Sequence, residues 1–180
     1  MLPGPSKLAP LFAASFLMLT SPALATELDA SSSQRLLVHG DVTQHCSISS
    51  PGNIDFGNLD RDGLQANLAM GLDCNVPFVM NVSAQYGALT NIQFPNGQGP
   101  YAGSVPYALD LSIPARTPAA TVITDSFNSR DLIGGKSISS QGAIATEGMT
   151  VHVALGHAGG EAGLLAGDYG ETITITLSSM

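Results

Sequence analysis

The sequence predicts an all-β fold, an antiparallel β-sandwich. Three observations carry this. Apolar and polar residues alternate over at least six separate stretches, which is the side-chain period of a strand. Clusters of Gly, Pro, Asn and Ser separate those stretches, as turns do. After residue 25, no stretch of ten or more residues keeps a helical period. Strands joined by turn clusters, without helices between them, close as packed antiparallel sheets.

Residues 1–25 stand outside that fold. Lys7 supplies a positive start, Leu8 to Leu19 is an apolar run, and Ala23-Leu24-Ala25 has the small-x-small pattern of a signal-peptidase site. The expected mature chain begins at Thr26. The apolar run is shorter than the roughly 20 residues that span a bilayer, and no later run reaches that length. These features predict an exported chain without membrane insertion.

The whole chain carries 6 basic and 14 acidic residues, a formal net charge of −8, and loss of Lys7 makes the remainder more acidic. That balance argues against nucleic-acid binding by phosphate neutralisation and against attraction to an anionic membrane. Cys46 and Cys74 are the 2 cysteines. In an exported chain they are expected to form one disulfide, a link whose chain-entropy contribution is about 3.5 kcal/mol for a loop of this size.

In chain order, residues 26–34 are polar. Leu36, Val38, Gly40 and Val42 then share one parity, while Arg35, Leu37, His39, Asp41 and Thr43 share the other, so Leu36 to Cys46 is expected to be a strand. A turn at 49–53 leads to a short strand at Ile54-Asp55-Phe56-Gly57 and a second turn at Asp60-Arg61-Asp62-Gly63. Leu64, Ala66, Leu68, Met70, Leu72 and Cys74 form the clearest alternation and place Cys74 on the core face. Pro77 opens a strand whose inward row is Phe78, Met80, Val82, Ala84 and Tyr86.

Residues 87–103 form a loop, with a short strand expected near Ile92–Phe94. The next strand runs from Val105 to Ile113, with Tyr107, Leu109, Leu111 and Ile113 inward and Pro114 and Pro118 ending it. A short strand is expected at Thr121–Thr124 and mostly loop over 125–148. Met149 to Leu155 is a strand, 156–167 a Gly/Ala loop, and Tyr169 to Leu177 the last strand, with Ile173, Ile175 and Leu177 on one face.

Gly134-Gly135-Lys136-Ser137 ends like a phosphate-binding loop, but the first glycine of that motif would fall at Arg130, and the segment is read as a turn. His39, His45, His152 and His157 lack metal-ligand spacing and are read as solvent-facing. Asp60, Asp62 and Asp73 are read as turn and surface groups, because no downstream Glu completes a calcium loop. No Gly-x-Ser-x-Gly is present. The chain is expected to hold no cofactor and no metal and not to be an enzyme.

Four features, taken in order, resemble the spore coat protein U domain family, which includes subunits of archaic chaperone–usher pili. An alternating N-terminal strand runs into Cys46. Ile54-Asp55-Phe56-Gly57 is similar to the family's hydrophobic-x-Phe-Gly. Cys74 ends a long alternating strand. The ending from Ala166 to Leu177 resembles Gly-x-Tyr-x-Asp followed by a β-rich strand, with Glu171 where the family often has Asp. Val105-Pro106-Tyr107-Ala108-Leu109 is similar to a mid-domain strand of the family.

The resemblance implies an immunoglobulin-like sandwich that lacks its final strand and is completed by a donor strand from a chaperone or a neighbouring subunit. After the signal peptide expected at 1–25, it further implies an N-terminal extension at 26–42 and a pilin-type domain at 43–180. It also implies the periplasm and then the cell surface or medium as the route of the exported chain. The donor strand would bury Leu36, Val38 and Val42, with Gly40 over a shallow part of the groove. Ile173, Ile175 and Leu177 would edge the acceptor groove. Implied partners are a periplasmic chaperone, an outer-membrane usher and neighbouring pilus subunits, in a fibre that serves adhesion or biofilm formation. The alternative is an independent secreted β-sandwich that binds a ligand or forms a coat without polymerising. On that reading Leu36 to Cys46 is the first strand of its own closed sandwich.

Overall fold

The computed structural model describes residues 33–49 and 52–180, so the signal sequence expected at 1–25 and the polar stretch before Ser33 lie outside the described residues. The chain divides into two units, Met1–Gly40 and Asp41–Met180. Of the first, residues 33–40 carry no helix or strand, and Leu36, Leu37 and Val38 are 88%, 90% and 81% exposed.

The second unit contains, in order, β1 (Cys46–Ser49), β2 (Gln65–Cys74), β3 (Phe78–Ala84), β4 (Leu89–Asn91), β5 (Ser104–Val105), β6 (Tyr107–Thr117), β7 (Ala119–Asn128), a single 3₁₀ turn (Ser129–Leu132), β8 (Lys136–Ser139), β9 (Met149–Leu155), β10 (Tyr169–Gly170) and β11 (Ile173–Ser179). A five-stranded sheet has the order β1-β2-β9-β6-β7, and a three-stranded sheet has the order β11-β3-β8. A small third sheet pairs β10, β4 and β5. All pairings between these strands are antiparallel. The fold is an all-β sandwich.

The alternating rows form its core. Leu72 and Cys74 of β2, Leu109, Leu111 and Ile113 of β6, and Met149, Val151 and Val153 of β9 join Phe78, Met80 and Val82 of β3 and Ile138 of β8 in one buried cluster. Burying such side chains is worth about 1.5–3 kcal/mol each, so these rows supply most of the driving force. Pro77 sits just before β3 as expected, and the N–H of Phe78 donates to the buried Ser140 hydroxyl at 2.9 Å.

Several expected elements shift, each for a local reason. Leu36–Val42 is not a strand in this chain, and β1 starts at Cys46. Alternation gives the segment an apolar face, but a strand also needs a neighbouring ladder. Ile54–Gly57 is not a strand either. The Asp55 carboxylate accepts the Gly57 N–H at 2.8 Å, and Gly57 takes φ +64°, so the chain turns there. The strand expected near Ile92–Phe94 is instead β4, three residues earlier. There Asn91 Oδ1 accepts the N–H groups of Gln93 and Phe94 and bends the chain away. Tyr86 lies beyond β3 and is 54% exposed.

Pro114 does not end β6, which runs on to Thr117. Two residues further on, Arg116 turns its N–H and C=O toward Ile144, away from β7. Pro114 has the same parity, so its missing N–H faces that side too. Pairing with β9 has already stopped there, at Ser112. The short strand expected at 121–124 is the ten-residue β7, and the stretch expected to be mostly loop yields the 3₁₀ turn and β8. The last strand splits at Glu171 into β10 and β11, which belong to different sheets.

Candidate functional site

The sandwich is open along one side. β1 ends the five-stranded sheet and β11 ends the three-stranded sheet, so each offers an edge that no strand among the described residues pairs. Between them lies a groove of about 690 Å³. Its apolar lining comes from Leu68 and Met70 of β2, Val151, Val153 and Leu155 of β9, and Ile173 and Ile175 of β11.

Burial along β2 records the opening. Leu72 and Cys74 are buried, whereas Ala66, Leu68 and Met70, on the same inward face, are only half-buried. Ile173, Ile175 and Leu177 of β11 are likewise half-buried although they point inward. Of the three expected groove residues, Ile173 and Ile175 line the cavity. Leu177 packs against the core outside it. Ile54 and Phe56, from the turn after β1, also line the groove and cover part of the core beneath it.

Past Ile48 and Met70, the groove residues of β1 and β2 on this side, the two strands are tied by a disulfide. Cys46 and Cys74 are directly opposed partners of β1 and β2, and their sulfurs are bonded, so the link ties neighbouring strands of one sheet. Asn75 follows Cys74 and grips the chain just before β1. Its side chain accepts the His45 N–H at 2.8 Å and donates to the Thr43 carbonyl at 2.8 Å, while its own N–H donates to the His45 carbonyl at 3.1 Å. His45 also meets Asp73 at 3.1 Å. Among the described residues, the domain's own hydrogen bonding to this stretch therefore begins at Thr43. Val42 is 83% exposed.

The other end is polar. The Glu171 carboxylate accepts backbone N–H groups of Gln85, Tyr86, Ala88 and Thr172 at 2.7–3.2 Å. It thereby fixes the turn after β3 against the start of β11. Tyr107, at the head of β6, lines the groove beside Glu171 and is 5% exposed. Among the described residues its hydroxyl has no hydrogen-bond partner. Burial, then the negative charge of Glu171, push its pKa well above the usual tyrosine value.

Sequence reasoning missed Asn75, Tyr107 as a polar group and the role of Glu171. A polar residue beside a core Cys was the only signal for Asn75, and the departure from Asp was the only one for Glu171.

The remaining sequence candidates lie elsewhere. His152 stands on the outer face of the five-stranded sheet, between Asp110 at 3.1 Å and Gln65 at 3.2 Å. His157 is exposed, 3.6 Å from Asp62, and His39 is exposed. Lys136 and Ser137 begin β8, not the helix that a phosphate loop requires. Residues 59–63 form the expected turn. Among the described residues no three His, Cys, Asp or Glu side chains gather as a metal site, and no helix is long and apolar enough to cross a membrane.

No family model and no curated protein matches the chain.

Proposed function

We propose that the chain is a structural subunit of a surface pilus, assembled by strand addition between neighbouring copies or subunits. The observation that carries this reading is the apolar groove between two free sheet edges, β1 and β11. Unpaired backbone groups beside half-buried Leu and Ile side chains favour an added strand, whose main chain completes the ladder and whose alternate side chains fill the groove. The chain also carries a segment suited to that task. Leu36, Val38, Gly40 and Val42 share one face, and Leu36, Val38 and Val42 are each more than four-fifths exposed.

On this reading the sandwich is immunoglobulin-like and lacks its last strand. The signal sequence takes the chain to the periplasm. A chaperone covers the groove there, an outer-membrane usher handles export, and the fibre serves adhesion or biofilm formation. The subunit performs no catalysis. The Asn75 grip supports a boundary at Thr43, with residues up to Val42 belonging to the neighbour's groove.

Deleting residues 26–42 tests the reading. The truncated subunit is expected to co-purify with its chaperone and to be missing from fibres. Normal incorporation into fibres would overturn the proposal.

One observation favours the second reading, a secreted sandwich that does not polymerise: Ile54 and Phe56 of the same chain already reach into the groove. A stable lone monomer on size-exclusion chromatography, unchanged by a co-expressed chaperone, would support it.

A further inference from the structure

This inference rests on strand addition at the groove. We infer that the Tyr107 hydroxyl is a hydrogen-bonding subsite that sets the register of the incoming strand, by donating to a main-chain carbonyl where Gly40 of a second copy crosses the tyrosine ring.

A buried hydroxyl without a partner is unfavourable, and nearly all such groups in folded proteins are paired. Tyr107 is 5% exposed, lines the groove and has no partner among the described residues. Glu171 does not fill that role, since its carboxylate is engaged by four backbone N–H groups. The phenol is protonated at neutral pH and so can donate. A strand lying in the groove brings main-chain carbonyls, which are acceptors.

The direction of the strand follows from the two ends of the groove. The chain enters its own domain at the Cys46 end, held by Asn75, where Ser179 of β11 pairs with Phe78. An open head-to-tail polymer needs its donor and acceptor connections on opposite ends of each subunit. The incoming segment must therefore run on toward its own body at the Glu171 end, antiparallel to β11. Its later residues, Gly40 to Val42, then lie at Tyr107. In the row Leu36, Val38, Gly40 and Val42, Gly40 is the residue whose missing side chain lets the main chain come closest to the groove lining at Tyr107.

The test uses the full chain and a fluorescent peptide of residues 33–43, with binding followed by anisotropy. The unaltered chain should bind the peptide. Tyr107→Phe should bind it about fivefold to tenfold more weakly, the effect of one lost buried hydrogen bond. Without peptide, Tyr107→Phe should unfold at the same or a higher temperature, because it removes an unpaired buried hydroxyl. A peptide carrying Gly40→Ala, which needs no refolding of the subunit, should bind the unaltered chain more weakly as well. Equal binding by Tyr107→Phe, equal binding of the Gly40→Ala peptide, or a lower melting temperature of peptide-free Tyr107→Phe would overturn the subsite while leaving strand addition standing. Failure of the unaltered chain to bind the peptide would overturn both.

Discussion

Asn75 holds His45 from two directions, accepting its N–H through the side-chain carbonyl at 2.8 Å and donating to its C=O through the main chain at 3.1 Å. With the further bond from Asn75 Nδ2 to the Thr43 carbonyl, this fixes where the N-terminal segment becomes part of the domain. Asn75→Ala removes two side-chain hydrogen bonds at an exposed site and should cost about 1 kcal/mol. Chemical denaturation measures that loss. Amide exchange should show the His45 N–H opening faster while the core of β3 is unchanged.

The disulfide acts at the same end. Cys46→Ala with Cys74→Ala should lower stability by about 3.5 kcal/mol from chain entropy, plus a smaller loss from the void at the fully buried Cys74. Equilibrium unfolding of the double variant against the oxidised parent reads the difference.

Glu171 gathers four backbone N–H donors, so Glu171→Ala leaves them to water or to nothing. Most of these bonds are exposed and only the one from Ala88 is partly buried, which keeps the expected loss near 1–2 kcal/mol. The sharper sign is local. Exchange at Tyr86 and Ala88 should accelerate more than exchange in β6. Glu171→Gln, which keeps one acceptor oxygen, should fall between the variant and the parent.

Asp110 predicts a pH effect. Hydrogen bonds from Ser126 and then His152 hold its carboxyl below the ordinary aspartate value. A depressed folded pKa contributes stability that is present above the unfolded value, near about 4, and is lost as pH falls through the folded one. Asp110→Asn should therefore flatten the acid limb of the stability curve below about pH 4. Ser126→Ala should move the Asp110 titration upward toward the ordinary value, as read by NMR.

The strands with two different faces were legible in the sequence. β2, β3, β6 and β9 pack one row into the core and leave the other toward solvent, so their alternation marks both the strand and its inner side. β7 is only partly legible because it is an edge strand with mostly exposed residues, and Ala119 to Thr124 offers little contrast between faces. β4, β5 and β10 are too short to show a period. Leu36–Val42 shows the converse: alternation reports a face that can be buried, and says nothing of which chain supplies the burial.

The groove was half legible for the same reason. Ile173 and Ile175 announce themselves by period. The polar end depends on Glu171 meeting Gln85, Tyr86 and Ala88 across more than eighty residues, and on Tyr107 lying beside it, which no local pattern encodes.

The central claim is that the groove between β1 and β11 accepts a strand. Hydrogen–deuterium exchange on the full chain, with and without an excess of the 33–43 peptide, tests it most directly. Strand addition predicts new protection along Ile173–Ser179 and at Cys46–Ser49, with the outer edge of β7 unchanged. No added protection in β11, or protection confined to β7, would contradict it.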